Sequence, residues 1–160
     1  MNYSIDIIAP ENDKQICEII MQVGKEFGAI GEGFGPSDAE VQAMSRYYLD
    51  ALSSRYFVAK IDGKIVGGGG VAAFNGNTEI CELKKLFLAP EGRGFGFGKT
   101  ITEQCLNYAR TKGYKKCYLD TLSSMKAAIC LYEKMGFSRL AKPIDGTIHS
   151  GCDVWMIKEL

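Results

Sequence analysis

The residues from Pro90 to Thr100 set four glycines, Gly92, Gly94, Gly96 and Gly98, alternately among larger side chains. Glycine takes positive φ and lets a ligand approach the backbone closely. Successive amides can converge into an anion nest, and a helix beginning there adds its positive end. Arg93, Lys99 and the Thr100 hydroxyl supply further donors. Such a loop suits a pyrophosphate. The spacing departs from a dinucleotide fingerprint, because Gly92, Gly94 and Gly96 give G-x-G-x-G where G-x-G-x-x-G is needed. It departs from a P-loop as well. Gly98-Lys99-Thr100 fit that motif's end, but Arg93 stands where its first glycine belongs. A plain flexible turn is the alternative reading.

The elements that must position this loop follow from periodicity. Residues 3–8 alternate as a strand, and 11–27 place Ile16, Ile19, Ile20, Val23 and Phe27 on one helical face, capped by Asn12 or Asp13. Four glycines make 28–36 a loop. Ser37 is expected to cap a second helix over 37–52, with Val41, Met44, Tyr48 and Leu52 inward. Strands over 56–61 and 64–73 flank the hairpin signal Asp62-Gly63. The run Gly67–Gly70 inside the second of these implies a bulge or a close backbone approach. A strand over 79–88, a helix over 97–111, a strand over 115–122 and a helix over 124–135 follow, then strands over 137–141 and 153–159. The order is β-α-α-β-β-β-α-β-α-β-β. It predicts a mixed α/β (α+β) domain on a mostly antiparallel sheet of about seven strands with four helices. One right-handed crossover makes 79–88 and 115–122 parallel.

Composition excludes several classes. The 160 residues fit one domain spanning 1–160. Nineteen basic and nineteen acidic side chains cancel, so no charge excess points to nucleic acid or an anionic membrane. The first residues carry no basic, then apolar, leader, and no apolar stretch approaches a membrane span. Six cysteines without a C-x-x-C pair read as reduced, mostly buried small hydrophobes, which points to the cytoplasm. One histidine and no paired cysteines give no metal site.

Arg93-Gly94-Phe95-Gly96-Phe97-Gly98 fits R-x-x-G-x-G and resembles the acetyl-CoA signature of the GNAT superfamily of N-acetyltransferases. Glu82 to Glu91 resembles that family's fourth strand, and Leu131-Tyr132-Glu133-Lys134-Met135-Gly136-Phe137 resembles the end of its last helix. The family often has an asparagine where Met125 stands. Leu119-Asp120-Thr121-Leu122 leading to Met125, and His149 to Trp155, resemble a bacterial subgroup in which that methionine is usual.

The resemblance implies a V-shaped opening between the strands of 79–88 and 115–122, where acetyl-CoA lies. The backbone of Leu86, Phe87 and Leu88 would pair with pantetheine. The pyrophosphate would rest on the amides of Arg93, Gly94, Phe95, Gly96, Phe97 and Gly98, with Lys99 and Thr100 at the helix start. An amine, preferably of a small molecule, would attack the thioester directly. Tyr132 matches the general acid or is a core tyrosine. Glu82 matches the base, or orients substrate, or is structural. Strand alternation places Glu82 on one face with Leu86 and Leu88, unless the family's bulge intervenes. His149, the single histidine, could be a base, a receptor for a substrate carboxylate or an ordinary loop residue. Glu32 and Phe34 could contact the amine. Lys84 and Lys85 read as a solvated edge and a cofactor-phosphate contact. Cys152 could carry an acyl group, although the family transfers directly. A protein lysine or N-terminus as acceptor, a non-catalytic acyl-CoA sensor and a homodimer are the open alternatives.

Overall fold

The computed structural model describes residues 1–160. Its seven strands form one sheet in the order β1-β2-β3-β4-β5-β7-β6. They are β1 (Tyr3–Ile7), β2 (Arg55–Ile61), β3 (Lys64–Ala73), β4 (Ile80–Leu88), β5 (Lys116–Thr121), β6 (Ser138–Leu140) and β7 (Val154–Glu159). Four α-helices cover it: α1 (Asp13–Glu26), α2 (Met44–Tyr47), α3 (Phe97–Thr111) and α4 (Lys126–Lys134). Only β4 and β5 pair in parallel, across the α3 crossover. The expected mixed, mostly antiparallel sheet is observed. No helix is long and apolar enough to cross a membrane.

The amphipathic helices divide two cores between the sheet's faces. On one face Ile101, Cys105 and Ala109 of α3 meet Leu83, Leu119 and α4 residues Ile129 and Tyr132. On the other, Ile16, Ile20 and Val23 of α1 meet Val41, Met44, Tyr56 and Phe87.

The second helix departs from its expected form. Residues 35–52 break into short 3-10 turns around the single turn of α2. Ser37 caps nothing by its side chain, and Leu52 is exposed. Val41, Met44 and Tyr48 are buried as expected. An apolar period survives in a winding chain, because packing and not helical hydrogen bonding selects those positions. The cysteines also differ in part from expectation. All are unpaired, yet Cys130 is exposed while Cys81, Cys105 and Cys117 are buried.

The glycine run has a clear cause. A Cβ on Gly68 or Gly70 would lie 2.5 Å from the ring of Tyr56. One on Gly67 would meet Leu88 at 2.5 Å, and one on Gly69 would meet Leu86 at 2.7 Å. The ring of Tyr56 thus lies across bare strand and reaches the next one, where its hydroxyl donates to the Lys85 carbonyl at 2.8 Å. That carbonyl belongs to a bulge. Gly68 pairs with Phe87 and Gly70 with Lys84, leaving Lys85 and Leu86 opposite Gly69 alone. Lys85 takes φ +55 to make the extra step.

Candidate active site

The bulge exchanges the faces of β4. Leu83 belongs to the α3 core and Phe87 to the α1 core, although simple alternation would put them on one side. Leu86 and Leu88 pack towards α3. Glu82 therefore does not share a face with Leu86 and Leu88. It looks into a small cavity of about 60 Å³ on the α1 side.

Beside it the sheet opens. The β4–β5 ladder ends at Glu82↔Tyr118, and no strand covers β4 beyond that point on its β5 side. A larger cavity of about 350 Å³ fills the gap. Leu86, Phe87 and Leu88 form one wall, and Ala127, Ala128 and Leu131 of α4 form another. Arg93, Gly94, Gly96, Phe97, Gly98 and Lys99 close its end. Phe87 and Met125 line both cavities and form the partition between them.

The glycine loop has the geometry of a cradle. Gly94 and Gly96 hold φ +86 and +79. The amides of Gly94 through Lys99 donate to no acceptor of the chain, whereas Arg93 N–H returns to Pro90 and Thr100 N–H to Gly96. Three of these free donors open α3, where the helix dipole adds positive potential. A pyrophosphate group fits this donor set. Phe95 is exposed, and the Thr100 hydroxyl turns back to the Gly96 carbonyl at 3.1 Å. Neither lines the cavity. The Arg93 guanidinium grips Glu26 at 2.9 and 2.7 Å, and its Nε donates to the Leu88 carbonyl.

Two chain segments meet beside the smaller cavity. Gly151 N–H donates to the Gly33 carbonyl at 2.9 Å, and the Phe34 ring packs so closely that a Cβ on Gly151 would meet it at 2.5 Å. Phe34, His149 and Cys152 are in the wall. Glu32 is exposed and lines neither cavity.

A buried ionic group surrounds Glu82. His149 is 6% exposed; its Nδ1 lies 2.7 Å from Asp120 Oδ1 and its Nε2 2.7 Å from Asp38 Oδ2. Burial opposes its charge, but the hydrogen bonds to Asp120 and Asp38 prevail and raise its pKa to about 9. It is an imidazolium at neutral pH with both nitrogens engaged. His149 lines the smaller cavity, with both ring nitrogens engaged by carboxylates of the chain. Asp38 falls to about 2; burial works against its charge, and His149 and Lys85 outweigh it. The lysines differ from expectation. Lys84 reaches Glu40 at 2.6 Å and Lys85 reaches Asp38 at 2.6 Å, both on the acid-rich side and away from the glycine loop. The bulge turns Lys85 inward, to 2% side-chain exposure.

Glu82 is 8% exposed, and its nearest cation is His149 Nδ1 at 3.7 Å. Burial, then the Asp120 charge, push its pKa up to about 7. The Cys152 thiol is pushed up to about 12 by burial and Asp120, so it is no thiolate nucleophile at neutral pH. Tyr132 packs on Phe137 in the core and lines neither cavity, although its neighbours Leu131 and Ala128 do. Burial raises its phenol pKa.

Asp38, Glu40 and Asp120 were missed as site residues. Asp120 carries the one available signal, a lone carboxylate inside the apolar strand 116–121.

Comparison with known proteins agrees with the fold. The acetyltransferase (GNAT) family model matches residues 27–137, and the chain belongs to that family. It is 34% identical to the uncharacterized N-acetyltransferase YjgM of Escherichia coli over 152 residues, 94% of this chain and 90% of that one. A GNAT-family acetyltransferase from Staphylococcus aureus superposes with TM-score 0.84 at 17% identity, over 99% of each chain. The PaiA N-acetyltransferase of Thermoplasma acidophilum, solved in complex with coenzyme A, superposes with TM-score 0.78 at 20% identity, over 100% of each chain.

Proposed function

We propose that this protein moves an acetyl group from acetyl-CoA to the primary amine of a small molecule. One observation carries the reading. A small, carboxylate-floored cavity adjoins an apolar cleft that ends in an amide cradle, with only Phe87 and Met125 between them. The bound coenzyme A of the Thermoplasma relative supports the cofactor. A peptide acceptor would need an open groove, and the packing of Gly33 and Phe34 on Gly151 disfavours one. The reading treats 1–160 as one domain, which the single sheet from Tyr3 to Glu159 supports. The methionine partition fits the bacterial subgroup that Leu119–Met125 resembles.

Acetyl-CoA supplies the activated thioester. The amides of Gly94 to Lys99 would hold its pyrophosphate, and the uncovered edge of β4 at Leu86–Leu88 would pair with its pantetheine amides. Glu82 takes a proton from the acceptor ammonium. With its pKa near 7 it is ionised in a useful fraction and still basic enough to receive it. Tyr132 acts as the acid towards the departing sulfur. Its phenol stays protonated at neutral pH, and it stands beside Leu131 in the helix that walls the cleft.

A thiol-release assay with acetyl-CoA against amines and peptides tests the reading. Turnover with small amines and none with peptides is expected; the reverse selectivity would transfer the function to protein acceptors. Coenzyme A at a hundred times its Kd should stabilise the fold by about 2.7 kcal/mol. That is a rise in Tm of roughly 5–10 °C for a chain of this size.

A further inference from the structure

The charges around the smaller cavity close on themselves with one exception. Lys84 holds Glu40 at 2.6 Å. Lys85 holds Asp38 at 2.6 Å and reaches Glu40 at 3.4 Å. His149 bridges Asp38 and Asp120, at 2.7 Å each. Three cations therefore meet three carboxylates, and these are the only cationic side chains in or behind the cavity wall. Each is already held by at least one carboxylate of the chain. Asp120 is closed further by the Thr147 hydroxyl at 2.6 Å.

Glu82 is the exception. It lines the cavity, is more than nine-tenths buried and accepts no hydrogen bond from the chain. Its nearest cation is spent on Asp120. The group is neutral while Glu82 holds a proton and carries one uncompensated negative charge when it does not. Burying such a charge is costly unless a partner arrives.

We propose that the acceptor is a primary amine that carries no carboxylate: its ammonium supplies the missing positive charge at Glu82, and an apolar remainder lies against Phe34, Phe87 and Met125. An amino acid would bring a third carboxylate into a space already holding Glu82 and Asp120, with every cation already held by a carboxylate. The corresponding decarboxylated amine or amide brings no such charge. This rests on the smaller cavity being the acceptor site. Binding also has a proton balance. The ammonium enters with its proton and pairs with the Glu82 carboxylate, and the proton formerly on Glu82 leaves to solvent.

The test is calorimetric titration of the coenzyme A complex at pH 6 in two buffers of different ionisation enthalpy. The ligands are 3-methylbutylamine, leucine and leucinamide, with 2-phenylethylamine and phenylalanine as a second set. Amine and amide should bind at least about tenfold more tightly than the acid, since tenfold is the smallest contrast worth one pK step. Their binding should release close to one proton, and Glu82→Gln should release none. Equal or tighter binding of the acids, no proton release from the wild type, or no binding by any ligand overturns the proposal. The transfer assay separates the two readings. Faster acetylation of leucine than of 3-methylbutylamine sinks the carboxylate-free acceptor alone. Retained acetyl-CoA binding with no transfer to any amine sinks both.

Discussion

Glu82 owes its chemistry to being the odd carboxylate in a set that is otherwise paired. Its raised pKa has two causes, burial first and the Asp120 charge second. If it is the base, kcat/KM should climb as pH rises through about 7, because only the ionised form takes the proton. Glu82→Gln should flatten that limb and lower kcat/KM by roughly 10²–10⁴-fold. Asp120→Asn should move the limb to lower pH, while His149 keeps its Asp38 partner; an unmoved limb would mean that Asp120 only packs. Tyr132→Phe tests the acid separately, with kcat expected to fall by about 10²-fold or more while amine binding is kept. Much of this was legible at the level of single positions. Glu82 and Tyr132 stand where the family motifs put them, and the loop from Arg93 to Gly98 declared itself by spacing. Asp38, Asp120 and His149 did not declare their association, because 82 residues separate the first pair in sequence and only folding brings them to one imidazole. Local patterns carry no term for that meeting.

At the scale of elements, the decisive device is the bulge that lets one strand serve both cavities. Glu82 faces one cavity, Leu86 and Leu88 face the other, and the Lys85 carbonyl between them is fixed by Tyr56. Tyr56 reaches it only because Gly68 and Gly70 leave room. Gly70→Ala should therefore do more than crowd a core. The added carbon would meet the ring at 2.5 Å and the Arg55 carbonyl at 2.8 Å. A loss of about 1–3 kcal/mol is expected, seen as a Tm lower by roughly 2–12 °C. If Gly70→Ala melts like the wild type, the ring does not depend on bare backbone. The sequence marked the glycine run as unusual, but its purpose lay in a tyrosine on a neighbouring strand. The misplaced helix over 37–52 has a related cause. Its inward positions repeat with helical period, yet the segment's polar groups are drawn towards the site by Lys84, Lys85 and His149, and the chain bends to deliver them.

For the molecule as a whole, the ionic group ties segments far apart in the chain to one stability profile. His149 has a folded pKa of about 9 against an ordinary 6.5, so its contribution is full below 6.5 and lost as pH rises through 9. Glu82 acts in the same sense, full below 4.5 and lost through about 7. Asp38 acts oppositely: its contribution is present above 3.8 and disappears as pH falls towards 2. Thermal melts should therefore show a mildly acidic optimum and a two-step decline on the alkaline side. Glu82→Gln should erase the first step and keep the second; a single unchanged decline would remove Glu82 from the account. The bare stretch of β3 bears on how this molecule assembles. Four glycines in a row form the loosest backbone in the unfolded chain and surrender the most freedom on ordering. Ladder pairing with β2 and β4 holds their backbone, and with no side chains of their own they are packed by what settles on them, Tyr56 from one face and Leu86 with Ile101 from the other. The centre of the sheet is thus a late-forming seam: its amides should gain protection from exchange only after β2 and α3 have docked.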